Sequence, residues 1–181
     1  MTKRRKVIVH IAASADGYIA RPDGDLEWLI SRPAPPGFYG MEAFMKTVDT
    51  VIMGRATYDA SLDLGAKYDT DDRTFVFSRR APPAKLPPSV KFVNEPIGSF
   101  ISGLREKPGK DIWLMGGGQL IASFLDENAI DEFVVSVVPV FIGDGVPLIA
   151  RRHRQVALDL LSTERFDDGL VQLHYRVASR A

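Results

Sequence analysis

Three consecutive glycines interrupt an apolar stretch of the chain and precede an amphipathic segment. Residues 112–115 are apolar, residues 116–118 are glycine, and a helical pattern resumes at residue 119. Glycines let a phosphate approach the backbone closely, and the first turn of a helix presents unpaired N–H groups and the positive end of the helix dipole. The pattern therefore predicts a nucleotide site, although a tight strand-to-helix turn without a ligand gives the same pattern.

The same arrangement of strand, glycine and helix occurs earlier in the chain. Residues 50–53 form an apolar run that ends at Gly54 and Arg55, and a helical pattern continues through Thr57. Two such helix starts can face one crevice at the carboxyl ends of parallel strands. A guanidinium contributes roughly 1.5–3 kcal/mol to binding an anion and a helix terminus roughly 0.3–1, which makes Arg55 the main phosphate candidate. The alternative is a surface ion pair between Arg55 and Asp59.

The elements that position these residues alternate between strands and helices. Strands are predicted at residues 7–13, 50–53, 74–77, 90–93 and 112–115, and helices at residues 26–30, 41–47, 97–107 and 119–125. Later strands at residues 133–138, 158–165 and 170–177 include a hairpin closed at residues 167–169. The pattern predicts an α/β protein whose mixed, mostly parallel central sheet is flanked by helices, with antiparallel strands in the C-terminal third.

Composition narrows the class of protein. At 181 residues and 45% hydrophobic content, the chain can bury about 70% of its unfolded surface, so we expect residues 1–181 to form a single domain. Lysine plus arginine balance aspartate plus glutamate at 23 each, which predicts neither a nucleic acid nor a membrane as partner. The basic run at residues 3–6 is interpreted as a solvated terminus.

The absence of cysteine excludes disulfides, thiolate metal ligands and a cysteine nucleophile. His10, His153 and His174 are isolated and lack the spacing of metal ligands, so we expect no metal site. Neither a membrane-spanning stretch nor a signal peptide is indicated, and we expect a cytoplasmic protein.

Three blocks of the sequence resemble dihydrofolate reductases. Residues 50–58 resemble the strand and helix start that hold the phosphates of NADPH, and residues 77–79 resemble the strand end that meets its 2′-phosphate. Residues 114–120 resemble the glycine turn of the superfamily, and the blocks occur in the same order. The resemblance implies the dihydrofolate reductase fold.

Three further blocks, residues 12–20, 130–133 and 138–145, are similar to the reductase domain of riboflavin biosynthesis. The resemblance covers almost the whole chain. It implies reduction of 5-amino-6-(5-phosphoribosylamino)uracil, and the deaminase domain that accompanies this reductase is not part of these 181 residues.

The resemblance also implies how NADPH is held. Ala12 and Ala13 would lie beside the nicotinamide amide, and Ile19 and Ala20 would close over it. Gly54, Arg55 and Thr57 would hold one side of the pyrophosphate, and the other side would be held by Gly116, Gly117, Gly118, Gln119 and Leu120. Ser78 and Arg79 would contact the 2′-phosphate.

The end of the strand at residues 74–77 bears independently on the choice of cofactor. A cofactor without the 2′-phosphate is usually selected by an acidic residue on its ribose, whereas Ser78, Arg79 and Arg80 supply a hydroxyl and two guanidiniums. We therefore predict NADPH rather than NADH. A solvated loop start is the alternative interpretation.

Two aspartates are the catalytic candidates. Asp25 lies in a segment that resembles the dihydrofolate reductase helix whose aspartate faces the pterin, where a carboxylate could orient a heterocycle or relay a proton. Residues 22–25 also supply the turn chemistry of a helix N-cap. Asp16 could reach the substrate, although Asp16 followed by Gly17 is also typical of a turn.

The substrate is less determined than the cofactor. The riboflavin-pathway domain usually has a lysine where this chain has His10, and Arg32, Tyr39 and Lys67 could compensate for it. The leading hypothesis is an NADPH-dependent reductase that delivers hydride to a C=N or C=O carbon of a small heterocycle. Reduction of dihydrofolate or another pterin, and a non-catalytic NADPH-binding module, are the alternatives. A homodimer is also expected from relatives.

Overall fold

The computed structural model describes residues 4–68, 73–152 and 154–178. The strands are β1 (Val7–Ser14), β2 (Tyr18–Ala20), β3 (Val48–Gly54), β4 (Arg73–Phe77), β5 (Val90–Val93), β6 (Asp111–Gly116), β7 (Glu132–Val138), β8 (Val146–Pro147), β9 (Leu158–Arg165) and β10 (Val171–Val177). The helices are α1 (Glu27–Ile30), α2 (Met41–Met45), α3 (Arg55–Asp63), α4 (Ile97–Arg105) and α5 (Gly118–Asp126).

Eight strands form one sheet in the order β5-β4-β3-β6-β1-β7-β10-β9. The first six in this order are parallel to one another, and β10 runs antiparallel to both β7 and β9. The predicted α/β class with a mostly parallel sheet and antiparallel C-terminal strands is confirmed. The antiparallel part begins later than expected, because β7 pairs in parallel with β1.

Successive residues of a strand point to opposite sides of the sheet, so consecutive apolar residues of β3 need a packing partner on each face. Helices provide it on both faces. On one face, Ile121 and Phe124 of α5 pack with Ile52 of β3 in the larger core cluster. On the other face, Tyr58 of α3 packs with Met53, the next residue of β3. α3 and α5 therefore lie on opposite sides of the sheet.

Two features were not predicted from the sequence. β2 and β8 form a separate two-stranded sheet, and both strands are too short for a periodic pattern to indicate them. The interpretation of residues 3–6 as solvated is wrong for Arg5, which is 2% exposed. Its guanidinium pairs with Asp49 and donates to the hydroxyl of Thr50 at 2.8 Å, so burial of this charge fixes the N-terminus against β3. Lys3 lies outside the described residues.

In the part of the chain that the structure describes, no helix is both long and apolar enough to cross a membrane.

Candidate active site

Two helices begin directly after adjacent strands at one edge of the sheet. α3 begins at the end of β3, and α5 begins after Gly117 at the end of β6. β3 and β6 are parallel neighbours, with Met53 paired to Gly116. The chain leaves β3 towards β4 on one side and leaves β6 towards β7 on the other. Ligands of open α/β sheets bind where neighbouring connections diverge in this way, outside the carboxyl ends of the strands.

A cleft of about 1380 Å³ opens at this edge. It is larger than the roughly 300–1,000 Å³ of ordinary small-molecule pockets. The helix-start half is the part lined by Gly54, Arg55, Thr57, Ser78, Arg79, Arg80, Gly117, Gly118, Gln119 and Leu120. The aromatic half is the part lined by His10, Leu26, Leu29, Arg32, Phe38, Tyr39, Trp113, Ser136 and Leu170.

Most residues that the sequence predicts as cofactor contacts line this one cleft. They are Ala12, Ile19, Ala20, Gly54, Arg55, Thr57, Ser78, Arg79, Gly117, Gly118, Gln119 and Leu120. Ala13 and Gly116 do not line it, because both are buried within the sheet. Contact with a cofactor stays a prediction for every one of these residues.

Arg55 lies at the start of α3 and lines the cleft, but its charge is already engaged. Its Nε donates to both carboxylate oxygens of Asp59, at 3.0 and 2.9 Å, and one terminal nitrogen donates to the carbonyl of Ala81 at 3.2 Å. The guanidinium also lies over the Phe92 ring, 5.2 Å from its centroid. The ion pair between Arg55 and Asp59, which was the alternative interpretation, is thus present. The Arg55 side chain also lines the cleft.

The end of β4 presents cations to the helix-start half. The Ser78 hydroxyl donates to the carbonyl of Arg80 at 3.0 Å and accepts from its N–H at 3.1 Å, which forms a tight turn. Arg79 and Arg80 are exposed at this turn. Unlike Arg55, neither forms an ion pair with a carboxylate among the described residues. Their charge is therefore available to an anion.

The glycine turn is required by packing as well as by access to the helix start. The Gly116–Gly117 peptide bond is cis, and Gly117 is the N-cap of α5. A Cβ added to Gly118 would lie 2.2 Å from the backbone oxygen of Pro147. Gly118 therefore lets the segment around β8 lie directly against α5, close to the cleft.

Asp16 does not line the cleft and instead fastens two loops together. Its carboxylate accepts from the Ser14 hydroxyl at 2.6 Å and from the backbone N–H groups of Ile142 and Gly143 at 3.1 and 2.8 Å. The hydrogen bond from Ser14 and those from the two backbone amides lower the pKa of Asp16. The structure thus gives Asp16 a positioning role, and its predicted catalytic role is not supported by these contacts.

Asp25 lies one residue before Leu26, the N-cap of α1, which has no side-chain cap hydrogen bond. One carboxylate oxygen accepts from the backbone N–H of Glu27 at 3.2 Å, and the other pairs with Arg21 Nε at 3.2 Å. The side chain is 40% exposed and is not part of the cleft wall, whereas Leu26 and Leu29 are. Its catalytic role stays a prediction, and its hydrogen bond to Glu27 places its carboxylate beside the start of α1 although the N-cap itself is Leu26.

A polar network in the aromatic half was missed at the level of sequence. Gln172 of β10 donates to the Ser136 hydroxyl at 3.0 Å and to the Tyr39 carbonyl at 3.2 Å, and its amide nitrogen lies 3.4 Å from His10 Nε2. His10, Ser136 and Gln172 share one face of the sheet because β1, β7 and β10 are neighbours. The one local signal was Ser136, a polar residue within a β-branched strand.

His10 is neutral over the whole physiological range. It is 6% exposed, and burial, with a smaller contribution from His174, lowers its pKa to about 4. Its ring packs edge-on against Phe44 at 4.5 Å between centroids. An imidazole desolvated in this way supplies hydrogen bonds rather than positive charge.

Arg32, the cation in the aromatic half, is neutralised by an ion pair. Its guanidinium donates to the Asp168 carboxylate at 2.7 Å, and the Tyr39 hydroxyl donates to the same oxygen at 2.6 Å. These two hydrogen bonds lower the pKa of Asp168 to about 2. Lys67, also considered as a substrate contact, is exposed and lies outside the cleft wall.

Within residues 4–68, 73–152 and 154–178, no three or more His, Cys, Asp or Glu side chains are grouped as metal ligands.

Comparison with known proteins agrees with this geometry. The family model of the RibD C-terminal domain matches residues 5–172. The Bacillus subtilis (strain 168) protein YwjB, described as uncharacterized, is 38% identical over 171 residues, which cover 94% of this chain and 97% of YwjB. A crystal structure from Shewanella sp. PV-4, provisionally assigned to riboflavin biosynthesis, has a TM-score of 0.86 at 33% identity and covers 96% of this chain and 99% of that one.

The fold also agrees with a more distant structure. Dihydrofolate reductase from Enterococcus faecalis, complexed with NADP(H) and RAB-propyl, has a TM-score of 0.69 at 16% identity and covers 99% of this chain and all (100%) of that one. The sheet order and this match thus place the protein in the dihydrofolate reductase-like class of folds. Within that class, the chain belongs to the RibD C-terminal domain family, as the sequence blocks indicated.

Proposed function

We propose that the protein is an NADPH-dependent reductase that transfers hydride to a C=N or C=O carbon of a small heterocyclic substrate. The observation that carries the proposal is that α3 and α5 begin at the same crevice, next to two arginines at the end of β4 that pair with no carboxylate among the described residues. Such a crevice suits a pyrophosphate, and free guanidiniums suit an additional phosphate.

The residues of the helix-start half fit NADPH in size and in charge. The first turns of α3 and α5 supply N–H groups with no helical partner, and Thr57 adds a hydroxyl between them. Gly117 keeps this space open, since a Cβ there would lie 3.3 Å from the Thr57 hydroxyl. Arg79 and Arg80 would hold the 2′-phosphate.

The aromatic half has the properties of a site for a flat ring. Trp113, Phe38 and Leu29 supply apolar walls that exclude water, and Ser136 and His10 supply polar groups. NADPH, when bound, supplies the hydride, and the protein supplies orientation and desolvation. Leu26 at the N-cap of α1 and Leu29 within α1 line the cleft, whereas Trp28 packs with Val138 and Leu170 in the core.

Loss of absorbance at the reduced nicotinamide band tests the proposal. Purified protein and NADPH are mixed with 5-amino-6-(5-phosphoribosylamino)uracil, its dephosphorylated form or dihydrofolate. Turnover with one of the aminouracils supports the riboflavin-type reaction, and turnover with dihydrofolate alone supports the pterin alternative. Tight binding of NADPH without oxidation by any of the three would support a non-catalytic module and contradict the proposal.

A further inference from the structure

We propose that the turn at residues 37–40 is a substrate-recognition element. In this turn, Phe38 packs against the flat ring of the substrate, and Asp168 acts as a positioning residue that holds the turn at the cleft. The inference rests on the proposed function, because it assigns further residues to the substrate part of the same cleft.

The backbone of this turn is left-handed over four consecutive residues. The φ angles are 76° at Gly37, 48° at Phe38, 53° at Tyr39 and 78° at Gly40. Glycine adopts this region at little cost, whereas the Cβ of a bulky residue comes too close to the following carbonyl oxygen. Strained backbone of this kind persists where the surrounding structure enforces it, and it clusters at ligand sites. The turn at residues 37–40 is therefore held against a cost in folding free energy.

Packing in the core explains Tyr39 at this turn but does not explain Phe38. The Tyr39 ring packs with the core cluster around Trp28 and lies edge-on to Phe166, with 5.0 Å between ring centroids. Phe38 belongs to no core cluster of the described chain, is 54% exposed, and lines the cleft. Glycine or asparagine at this position would form the same turn with less strain. An aromatic side chain here is therefore explained by a ligand in the cleft.

Asp168, in the hairpin between β9 and β10, fastens this turn to the sheet. Its carboxylate accepts from the Tyr39 hydroxyl at 2.6 Å and from the Arg32 guanidinium at 2.7 Å. The backbone N–H of Leu170 donates to the other carboxylate oxygen at 3.1 Å, which orients the Asp168 side chain. One carboxylate thus fixes both ends of the segment that carries Phe38. Asp168 does not itself line the cleft, so it acts on a ligand through this segment.

Trp113 of β6 supplies a second aromatic surface in the same half of the cleft. Its Nε1 donates to the backbone carbonyl of His10 at 3.0 Å, and its ring lies edge-on to Phe44 with 5.8 Å between centroids. Trp113 and Phe38 both line the aromatic half. Aromatic side chains bind planar heterocycles by stacking and exclude water from them. These two side chains therefore suit a planar heteroaromatic ring.

Calorimetric titration measures the contribution of Phe38 to ring binding. The probes are two uncharged flat compounds, 5-amino-6-(ribosylamino)uracil and dihydropterin, each added with NADP⁺ present. We expect Phe38→Ala and Phe38→Gly to weaken the tighter-binding probe about tenfold or more, the usual effect of losing one stacking contact, and to leave the NADP⁺ affinity unchanged.

Phe141→Ala is the matched control for this titration, because Phe141 is 78% exposed and does not line the cleft. It should leave the probe affinity unchanged. Unchanged probe affinity in both Phe38 variants, or binding of neither probe to the wild type, would overturn the inference.

The stability of the same two Phe38 variants tests the strain in the turn. Glycine normally makes ordered backbone less stable than alanine does, but a positive φ reverses this order. We expect the Tm of Phe38→Gly to exceed that of Phe38→Ala by about 2–4 °C in thermal unfolding. A lower Tm for the glycine variant would contradict the left-handed turn and overturn the inference.

A double-mutant cycle tests Asp168 as a positioning residue. Asp168→Ala should weaken the probe about threefold or more in the protein that has Phe38, and should have no further effect in Phe38→Gly, where no ring remains to be positioned. Because neither probe is charged, the arginine released from Asp168 does not attract it by charge. Asp167→Ala, which removes the exposed neighbouring carboxylate, is the control and should leave the affinity unchanged. Equal losses in both backgrounds, or no loss in either, would overturn the role of Asp168.

Oxidation of NADPH separates failure of this inference from failure of the proposed function. Turnover of an aminouracil or a pterin with an unchanged KM in the Phe38 variants would overturn the recognition element while the proposed function stands. Probe binding that depends on Phe38, without oxidation of NADPH by any of the substrates, would contradict the proposed function and support the ring site.

Discussion

At the scale of single residues, Arg79 carries the prediction of cofactor preference. Its guanidinium lines the cleft without a carboxylate partner in the described chain, so Arg79→Ala removes a charge that a 2′-phosphate can use. We expect NADPH affinity to fall about 10- to 100-fold, which corresponds to one lost charge-assisted contact, and NADH affinity to change little. Calorimetry measures both.

Lys91→Ala is the control for this experiment, because Lys91 is an exposed cation on β5 that does not line the cleft. It should leave both affinities unchanged. Equal losses for NADPH and NADH in Arg79→Ala would show that Arg79 does not recognise the 2′-phosphate.

Substitution of Asp25 distinguishes a role in stabilising the start of α1 from a catalytic role. Its hydrogen bond to the Glu27 N–H predicts that Asp25→Ala lowers stability by about 1 kcal/mol. As its carboxylate lies outside the cleft wall, kcat should change less than twofold. Thermal unfolding and steady-state kinetics measure the two effects, and an unchanged Tm with a large loss of kcat would restore the catalytic role.

His10 makes stability depend on pH in a direction that can be worked out. Burial lowers its folded pKa from 6.5 to about 4, so below pH 6.5 the unfolded chain binds a proton that the folded chain does not. The contribution of His10 to stability is therefore complete above pH 6.5 and declines as the pH falls towards 4, by about 3 kcal/mol.

Chemical denaturation of the wild type and of His10→Phe between pH 7 and pH 4 measures this difference. The wild type should lose more stability than the variant as the pH falls, because every titratable group other than His10 is present in both proteins. Parallel curves for the two proteins would contradict a buried neutral His10.

The sequence predicted the site residues that are recognisable from their neighbours in the chain. It missed the residues whose hydrogen-bond partners are far away in sequence. Arg55 and Gly118 follow strands at recognisable turns, and the structure places both on the cleft. His10 looked isolated because its partner Gln172 lies 162 residues further along the chain. Asp16 was interpreted as a substrate contact or a turn residue because Gly143, which donates to it, lies 127 residues away. Local spacing carries no information about such contacts.

At the scale of elements, the segment around β8 packs directly against α5 because Gly118 has no side chain. A Cβ at Gly118 would lie 2.2 Å from the Pro147 oxygen, whereas a Cβ at Gly103 in α4 meets nothing within 4 Å. Gly118→Ala should therefore destabilise the protein by several kcal/mol, since backbone must move. Gly103→Ala should stabilise it by about 0.5–1 kcal/mol through helix propensity.

Urea denaturation of the two alanine variants measures this contrast. A Gly118→Ala protein as stable as the wild type would show that the segment around β8 does not pack against α5 as described.

The long elements were predictable because their patterns are long. β3 contains a continuous apolar run at residues 51–53, and the apolar residues of α4 recur at the period of a helix. α1 is a single turn and begins at Glu27 rather than residue 26. The pair β2 and β8 was missed because its partners are short and remote in sequence.

At the scale of the whole molecule, the predicted homodimer has a candidate surface in β9. This strand forms one edge of the sheet, all its residues are exposed, and Leu160 is 56% exposed. An exposed apolar edge strand favours pairing with another chain. We expect a dimer by light scattering and a monomer for Leu160→Lys.

Leu64→Lys is the control for the dimer, since Leu64 follows α3 and is also 56% exposed. It should leave the molar mass unchanged. A monomeric wild type at micromolar concentration would contradict the predicted dimer. The single-domain organisation of residues 1–181 and the cytoplasmic location stay predictions from the sequence.

A crystal structure of the protein with NADPH tests the central claim most directly. The account predicts the diphosphate between the first turns of α3 and α5, the 2′-phosphate beside Arg79, and the nicotinamide beside Ala12 at the entrance to the aromatic half. A nucleotide bound elsewhere, or none bound from millimolar NADPH, would contradict the account.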